Sequence, residues 1–389
     1  MGLVERCGGG LAVSDRVIVE PVVTRRDRER FLDLPYRLHA GEPHWVPPLR
    51  REAGRLISPR HNPFFAYGTA RLFVARRGPQ VLGRIAAVHN PRHNSRFEAA
   101  DGFFGQFECA DDGAAARALI DAAGHWLRGR RLTSMIGPVN LTTNGECGVL
   151  VDGFDTPPRL LMPYNPPYYG PLLEAAGLRK AKDLWAWRRG MRPFDERFSR
   201  VAARLEHRAR VRVRPIDLRD FDDELARIRH LYNSAFDGLW GFVPMTEGEF
   251  GALARQLRPI LDPGLVLIAE SGGEPVGVSI SLPDLNQALP AARGRLTTWG
   301  LPLGLLRLRR AARSIDAMRS IVVGVLPEHR GRGVEILLYA GTLRAAVSGG
   351  YRDIELGWTL EDNSAIVASL RAAGCTPAKT YRLYRGDLP

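Results

Sequence analysis

The apolar and polar positions of this chain follow one pattern twice. In each half, two apolar stretches flank a glycine-containing turn and predict a β-hairpin, over 70–90 in the first half and over 264–282 in the second. Each hairpin is followed by a third strand, by a helix whose apolar residues recur every three or four positions, and by a further strand. These later elements are predicted over 102–108, 114–130 and 134–140, and over 320–326, 334–348 and 353–359.

The two halves also end alike. A helical segment that begins at Asn165 or Asn363 reaches an Ala-Ala-Gly sequence at Gly177 or Gly374, and an aromatic strand follows. A glycine just past a helix allows the positive φ that ends it, and the aromatic run favours a strand. We therefore predict two copies of one α/β (α+β mixed sheet) domain, with helices on the faces of each sheet.

The predicted boundaries follow from this repeat and from changes in composition. They are a disordered tail over 1–16, a degenerate first domain over 17–190, a linker over 191–210, and a second domain over 211–389 with an insertion over 287–318. The insertion has apolar residues at helical spacing and an arginine-rich face. Two interpretations stay open: a peripheral helix that packs over the site, or a helix that lies on a membrane surface.

The overall composition narrows the classes of function. The chain of 389 residues has a formal net charge of +13, but almost all of its cations are scattered arginines and only three are lysines, which is typical of a GC-rich bacterial genome. We therefore expect no nucleic-acid ligand. The four cysteines lie far apart and favour reduced thiols in a cytoplasmic protein without a metal site. No apolar run is long enough to span a membrane, and the start lacks the apolar core of a secretory signal.

One short loop carries the clearest candidate chemistry. After the strand that ends at Pro327, the sequence reads Arg330, Gly331, Arg332 and Gly333, and a helix opens at Val334. The first N–H groups of a helix have no intrahelical partner, and the helix dipole adds positive charge at this end. Glycines let the backbone approach a ligand closely. Together these features predict an anion cradle suited to a pyrophosphate.

At this loop the sequence resembles the GNAT superfamily of acyl-CoA-dependent N-acyltransferases. The resemblance rests on Arg330 and Gly333, on Asn363 with its following helix, and on the aromatic strand after Gly374. Glu335 departs from the family pattern, which has a small residue there. The equivalent junction of the first half contains Glu108, Asp111 and Asp112 and no arginine. The resemblance therefore implies a tandem GNAT-fold protein whose first copy is degenerate, since carboxylates would repel a pyrophosphate.

The resemblance also implies the reaction. An amine of a small-molecule or peptide acceptor would attack the thioester directly, without a metal. Acetyl transfer from acetyl-CoA is the expected reaction, and another acyl-CoA is the alternative donor. Two other functions stay open: a catalytically inactive binding protein, and an aminoacyl-tRNA-dependent transferase. The resemblance implies donor-binding groups at the strand before the loop, at the loop itself and at the next helix: Val323, Val325, Arg330, Gly331, Arg332, Gly333, Val334 and Asn363.

The candidate catalytic residues are a carboxylate and a tyrosine. Glu355 is the first candidate for the base, because a half-buried strand carboxylate has a raised pKa; Glu146 and Asp284 are alternatives. The resemblance implies a tyrosine as the acid. Tyr384 and Tyr381 are the candidates, with Tyr384 preferred, although strand alternation does not decide between them. Polar and aromatic loop residues predict the acceptor pocket: Asn140, Glu146, Tyr164, Trp240 and Phe242.

Overall fold

The computed structural model describes residues 16–191, 196–208, 211–298 and 300–388. Residues 1–15 of the predicted tail therefore lie outside the described part. The first half contains strands β1 (Val17–Pro21), β2 (Thr69–Arg77), β3 (Gln80–His89), β4 (Asp101–Cys109), β5 (Ser134–Gly137), β6 (Val149–Asp152) and β7 (Arg179–Gly190). Its helices are α1 (Arg25–Leu38), α2 (Arg50–Leu56), α3 (Pro91–Phe97), α4 (Gly113–Arg128) and α5 (Tyr169–Ala175).

The second half repeats this order after helix α6 (Glu196–Arg208), which occupies most of the predicted linker. Its strands are β8 (Val211–Pro215), β9 (Val266–Ser271), β10 (Glu274–Pro283), β11 (Ala317–Val325), β12 (Asp353–Leu360) and β13 (Thr376–Asp387). Its helices are α7 (Phe221–Ala235), α8 (Glu247–Leu257), α9 (Leu303–Ala312), α10 (Val334–Ser348) and α11 (Ser364–Ala372). Strand β11 begins at Ala317, so the insertion is slightly shorter than the predicted 287–318.

The local sequence explains where these elements begin. Strand β3 is buried along nearly its whole length, as an apolar run at the centre of a sheet requires. Helix α8 opens with a capping box, in which the Thr246 hydroxyl accepts from the Glu249 N–H and the Glu249 carboxylate accepts from the Thr246 N–H. Helix α4 presents seven buried residues at three- and four-residue spacing to the sheet. Most helices thus carry a cap or an apolar stripe that the sequence itself provides.

All the described strands form one mixed sheet, and the last strand of each half crosses into the other half. The strand order is β1-β2-β3-β4-β5-β13-β7-β12-β11-β10-β9-β8, with β6 paired to β13. Strand β13 therefore pairs with β5 and β6 of the first half, whereas β7 pairs with β12 of the second. Because β7 and β13 also pair with each other, the junction between the halves is continuous backbone pairing.

This exchange places side chains in the core of the opposite half. Trp187 of β7 packs with Met318 and Ile354 of the second half. Tyr384 of β13 packs with Tyr169 and Leu173 of the first half. The aromatic residues that end the two repeats therefore serve as core residues across the junction.

Candidate active site at the junction of the two halves

A gap opens in the sheet where β11 and β12 diverge. The two strands pair in parallel only from Ala317 to Ser320, after which β12 continues beside β7. On the other side of β11, the Leu326 N–H donates to the carbonyl oxygen of Val276 at 2.9 Å. In an antiparallel ladder the amide direction alternates, so the N–H groups of Val325 and Val323 point away from β10 and into the gap. Their role in binding a donor stays a prediction.

The anion cradle lies at the end of this gap. Gly331 and Gly333 have φ values of +70° and +83°, a conformation that side chains disfavour. Gly333 is the N-cap of α10 and provides no side-chain cap, so the first N–H groups of this helix stay available. A Cβ on Gly333 would also lie 2.6 Å from the Leu205 side chain of α6. Glycine is therefore favoured here by the backbone angle, and a larger residue would also force the Leu205 side chain to move.

The two arginines of the cradle differ in their partners. The Arg330 guanidinium donates to the carbonyl oxygens of Val325 and Ala235, at 3.3 and 2.8 Å, and so fastens the loop to β11 and α7. Arg332 is exposed and has no side-chain partner among the described residues. Arg332 is therefore the cradle arginine that is free to meet an anion, and Arg330 shapes the loop.

Two other residues expected at the donor site have structural roles. The side chain of Val334 is buried in the core beneath α10, although its N–H belongs to the open first turn. The Asn363 side chain accepts from the Ile366 N–H at 3.3 Å and caps α11. The structure thus uses the Asn363 carboxamide as a helix cap.

The equivalent gap in the first half is closed by that half's own side chains. The Gln106 N–H donates to the Asn140 side chain at 2.8 Å, and the Cys109 N–H donates to the Tyr169 hydroxyl at 3.0 Å. Helix α4 is capped by the Asp112 carboxylate, which accepts from the Ala115 N–H at 3.0 Å. A carboxylate at this position excludes a second anion. Only the second half therefore retains both an open gap and an uncapped helix.

A buried cluster of unpaired polar atoms lies beside the gap. Arg319 on β11 and Glu355 on β12 are directly opposite each other. Arg319 donates to the carbonyl oxygens of Leu160 and Gly357, at 2.6 and 3.0 Å, but its Nε has no partner among the described residues. Glu355 Oε1 has none either. Burial raises the pKa of Glu355 to about 7, although Arg319 acts in the opposite direction.

Tyr381 belongs to this cluster, whereas Tyr384 does not. The Tyr381 hydroxyl is buried and has no partner among the described side chains and backbone. Burial holds its pKa well above the usual range, with a further rise from the Glu355 carboxylate. The Tyr384 hydroxyl instead donates to Glu174 at 3.0 Å in the first half. The structure therefore brings Tyr381 towards Glu355 and takes the preferred candidate, Tyr384, to the other face of β13.

An apolar cavity of about 300 Å³ adjoins the cluster. It lies between α7 and α8 on one side and β10 and β11 on the other, and the first-half segment 143–147 closes one wall. Its lining is mostly aliphatic and aromatic, with Glu146, Arg319 and Trp358 among the few polar groups. The buried indole Nε1 of Trp358 has no partner among the described residues. The cavity thus has the character of a site for a hydrocarbon chain with a polar end.

Some of the residues predicted for the acceptor pocket line this cavity, and others do not. Trp240, Phe242 and Glu146 line it. Burial raises the pKa of Glu146, whose Oε2 accepts from the Asn140 side chain at 3.2 Å, so Asn140 positions a lining residue. Tyr164 is not among the lining residues and packs against the first-half core.

Asp284, a further candidate from the sequence, and the thiol of Cys147 are both held in structural contacts. The Asp284 carboxylate is buried and accepts from Arg159 at 3.0 Å and from the Leu160 N–H at 2.8 Å. Asp284 therefore fixes the segment that contains Leu160, whose carbonyl oxygen accepts a hydrogen bond from Arg319. The Cys147 thiol is buried beside the carbonyl oxygens of Thr142, Thr143 and Gly145, and burial raises its pKa. A thiol in this environment is a poor nucleophile.

Sequence reasoning missed several residues of this site. The most important is Arg319, the charged residue of the mostly apolar strand β11, and that contrast was the available signal. The aromatic lining from Tyr232 and Phe250 was missed because both occupy ordinary core positions of helices. Among the described residues, no group of three or more histidine, cysteine, aspartate or glutamate side chains is arranged to hold a metal ion.

Comparison with known proteins gives long matches. No family model matches the chain. It is 36% identical over 380 residues to the bacterial ceramide synthase of Caulobacter vibrioides (strain NA1000 / CB15N), covering 95% of this chain and 97% of that protein. It is 31% identical over 382 residues to Protein YghO of Escherichia coli (strain K12), covering 97% of each. A solved tandem GNAT protein from the clavulanic acid biosynthesis pathway, without AcCoA, superposes with a TM-score of 0.54 at 16% identity, covering 96% of this chain and 99% of that one. The fold predicted from the sequence is therefore confirmed.

Proposed function

The chain belongs to the family of tandem GNAT-fold proteins that contains the bacterial ceramide synthase of Caulobacter vibrioides, and from that premise we propose that it is a long-chain N-acyltransferase. A ceramide is the amide of a fatty acid with a long-chain amino alcohol. The proposed reaction joins a fatty acyl group from an acyl-CoA to the amine of such an alcohol. The sequence alone favoured acetyl transfer, and the proposal replaces the acetyl group with a longer chain.

The observation that carries this proposal is the apolar cavity beside the buried polar cluster. Its volume of about 300 Å³ and its lining of side chains such as Leu225, Ile228, Phe250 and Ile321 suit a hydrocarbon chain. An acetyl group needs no such space. Because a long-chain amine and a fatty acyl group are both mostly hydrocarbon, burying either in this cavity contributes about 0.8 kcal/mol per methylene. The cavity therefore supplies selectivity for chain length.

The described residues fit an acyl-CoA donor. The open first turn of α10 and the exposed Arg332 suit the pyrophosphate, and the sheet gap beside β11 leads from that cradle towards Glu355. When bound, acyl-CoA supplies an acyl group activated as a thioester. In the proposed reaction, the N–H groups of Val323 and Val325 stabilise negative charge that develops on the thioester oxygen.

Glu355 and Tyr381 are the proposed groups for proton movement. Glu355 Oε1 has no partner among the described residues, and with a pKa of about 7 it accepts a proton from an ammonium group at neutral pH. This step leaves the amine neutral and nucleophilic. The Tyr381 hydroxyl, protonated because burial raises its pKa, donates a proton to the departing thiolate and regains one from the nitrogen that becomes the amide. Glu146 is a second candidate for the base, because it lines the cavity and its pKa is also raised.

The test is acyl transfer by the purified full chain with a matrix of substrates. Acetyl-, octanoyl- and palmitoyl-CoA are each combined with a long-chain amino alcohol and with ethanolamine, and the amide is measured by mass spectrometry. We expect kcat/KM for the palmitoyl and long-chain pair to exceed that of the acetyl and ethanolamine pair by at least about a hundredfold. Equal values for the two pairs would contradict the long-chain assignment. No transfer with any pair would favour a binding protein.

A further inference from the structure

The insertion between β10 and β11 carries a concentrated positive charge. From 285 to 315 the sequence contains six arginines and no lysine, aspartate or glutamate. All six arginines are exposed: Arg293, Arg295, Arg307, Arg309, Arg310 and Arg313. None of their side chains forms an ion pair or a hydrogen bond with a described residue. Elsewhere many arginines are paired, as Arg214 is with Glu224 and Glu270.

The insertion also exposes large apolar side chains. Leu306 is 57% exposed and Leu301 is 56% exposed. On helix α9 and its C-cap, Leu306, Arg309, Arg310 and Arg313 follow i, i+3, i+4 and i+7 spacing, so they share one face. Leu306 is therefore an exposed leucine beside three arginines that have no side-chain partner among the described residues. This arrangement matches the interfacial region of a membrane, where apolar groups enter the acyl boundary beside anionic headgroups.

The insertion is fixed to the body of the protein. The Arg50 N–H donates to the Gly294 carbonyl oxygen at 2.9 Å, and the Asn286 side chain donates to the Pro158 carbonyl oxygen at 2.8 Å. Leu289 and Ala292 are buried. The basic face is therefore presented by a segment that is held against the first half. No described helix is long and apolar enough to cross a bilayer.

We propose that α9 and the segment leading into it form a docking surface for the headgroup region of a bilayer that contains anionic phospholipid. The arginines meet the lipid phosphates, and Leu301 and Leu306 enter the interfacial layer. An RNA backbone would also attract the arginines, but it offers no apolar layer for the two leucines. Docking goes beyond the proposed reaction, and it needs neither acyl donor nor amine.

The test is binding of the full chain to vesicles, measured by co-sedimentation. Vesicles of phosphatidylcholine alone are compared with vesicles of phosphatidylcholine mixed with phosphatidylglycerol. Since each basic residue near an anionic surface contributes about 1 kcal/mol, the triple variant Arg309→Gln/Arg310→Gln/Arg313→Gln should lower the partition coefficient on the mixed vesicles by roughly a hundredfold. Leu306→Ser should lower it by up to about tenfold, because the leucine contact with the acyl layer is lost.

The matched control removes the same charge elsewhere. Arg26, Arg60 and Arg212 are exposed, and Arg26→Gln/Arg60→Gln/Arg212→Gln lowers the net charge by the same three units. This control should keep vesicle binding close to that of the original protein. Equal losses in the two triple variants would overturn the proposal, as would equal binding to both vesicle types. Binding of bulk tRNA that depends on the α9 arginines, with no vesicle binding, would assign the surface to nucleic acid instead. Acyl transfer measured with soluble substrates distinguishes failure of docking from failure of the enzyme.

Discussion

Arg319 and Glu355 face each other across the parallel pair of β11 and β12, and each retains one buried polar atom without a partner among the described residues. Two backbone carbonyl oxygens accept hydrogen bonds from the Arg319 guanidinium and hold it in place. Its positive charge lowers the pKa of Glu355, but burial raises that pKa by more. Buried polar groups are nearly always hydrogen-bonded in native proteins. In the proposed reaction, these two atoms beside the apolar cavity meet the polar group of the substrate.

Glu355→Gln should abolish most of the acyl transfer. Loss of a general base lowers kcat by about 10²- to 10⁴-fold, whereas the glutamine keeps the shape of the side chain. In the original protein, kcat/KM should rise with pH through about 7, because only the ionised carboxylate accepts a proton. Kinetics across this pH range, with Glu146→Gln as the comparison, check the assignment. A large loss in Glu146→Gln with activity retained in Glu355→Gln would make Glu146 the base.

The same substitution should stabilise the protein at alkaline pH. In the folded chain Glu355 stays protonated up to a pH of about 7, whereas a free glutamate ionises near 4.5. Unfolding therefore releases a proton between these values, and the stability that the group contributes is lost as the pH rises through about 7. A rise in the pKa of Glu355 from 4.5 to about 7 corresponds to a loss of roughly 3 kcal/mol in the free energy of unfolding at alkaline pH.

Urea unfolding checks this prediction. The free energy of unfolding of Glu355→Gln, relative to the original protein, should increase by up to about 3 kcal/mol between about pH 5 and about pH 8. Glu146→Gln is the comparison for a carboxylate that lines the cavity. A difference between Glu355→Gln and the original protein that stays constant with pH would mean that Glu355 is already ionised in the folded state at pH 5.

The two candidate tyrosines should respond differently to loss of the hydroxyl. Tyr381→Phe should lower kcat by at least about tenfold, because the unpartnered hydroxyl beside Glu355 is the proposed acid. Tyr384→Phe should keep kcat and lower the free energy of unfolding by about 1 kcal/mol, because it loses only the hydrogen bond to Glu174. Steady-state kinetics and urea unfolding of both variants separate the roles. An inactive Tyr384→Phe that unfolds like the original protein would reverse them.

The repeat and the cradle could be predicted from the sequence because both depend on local signals. Gly331 and Gly333 indicate a turn with positive φ. Asp111 and Asp112 indicate that the equivalent junction of the first half has no anion cradle. The exchange of β7 and β13 could not be predicted from the sequence. The two repeats have the same pattern of apolar and polar residues, and this pattern predicts a strand without indicating which half that strand joins. That exchange is why Tyr384 lies in the first-half core.

The cavity was also beyond the reach of the sequence. Its walls are ordinary apolar residues of helices and strands, such as Ile228 and Val322. In sequence they match core positions, and only the packing of α7 and α8 leaves space between them. The elements were therefore predictable, whereas the volume that they enclose was not.

The cradle should depend on its arginines and not on the acidic junction of the first half. Arg332→Ala removes the exposed guanidinium and should weaken acyl-CoA binding by about tenfold, a typical value for one charge-assisted contact. Arg330→Ala should also weaken it, because the loop loses its contacts with Val325 and Ala235. Asp111→Ala should leave the affinity unchanged. Calorimetry with acyl-CoA checks all three variants, and equal losses in all of them would argue against donor binding in the second half alone.

The cavity should control chain length, and this can be tested on helix α8. Ala254 lines the cavity, so Ala254→Phe fills part of the space that a long chain would occupy. We expect kcat/KM for the long-chain pair of substrates to fall by at least about tenfold, because each excluded methylene loses about 0.8 kcal/mol of burial. Transfer between shorter substrates, for which less of the cavity is needed, should change by less than about twofold.

The matched control for this change is Ala226→Phe on the exposed face of α7. It adds the same side chain to a neighbouring helix without entering the cavity, so both long and short substrates should react as in the original protein. Selectivity, the ratio of the two kcat/KM values, is the decisive quantity, because a general loss of folded protein lowers both values equally. If Ala254→Phe lowered long- and short-chain transfer by the same factor, the cavity would have a role in packing and the long-chain assignment would lose its main support.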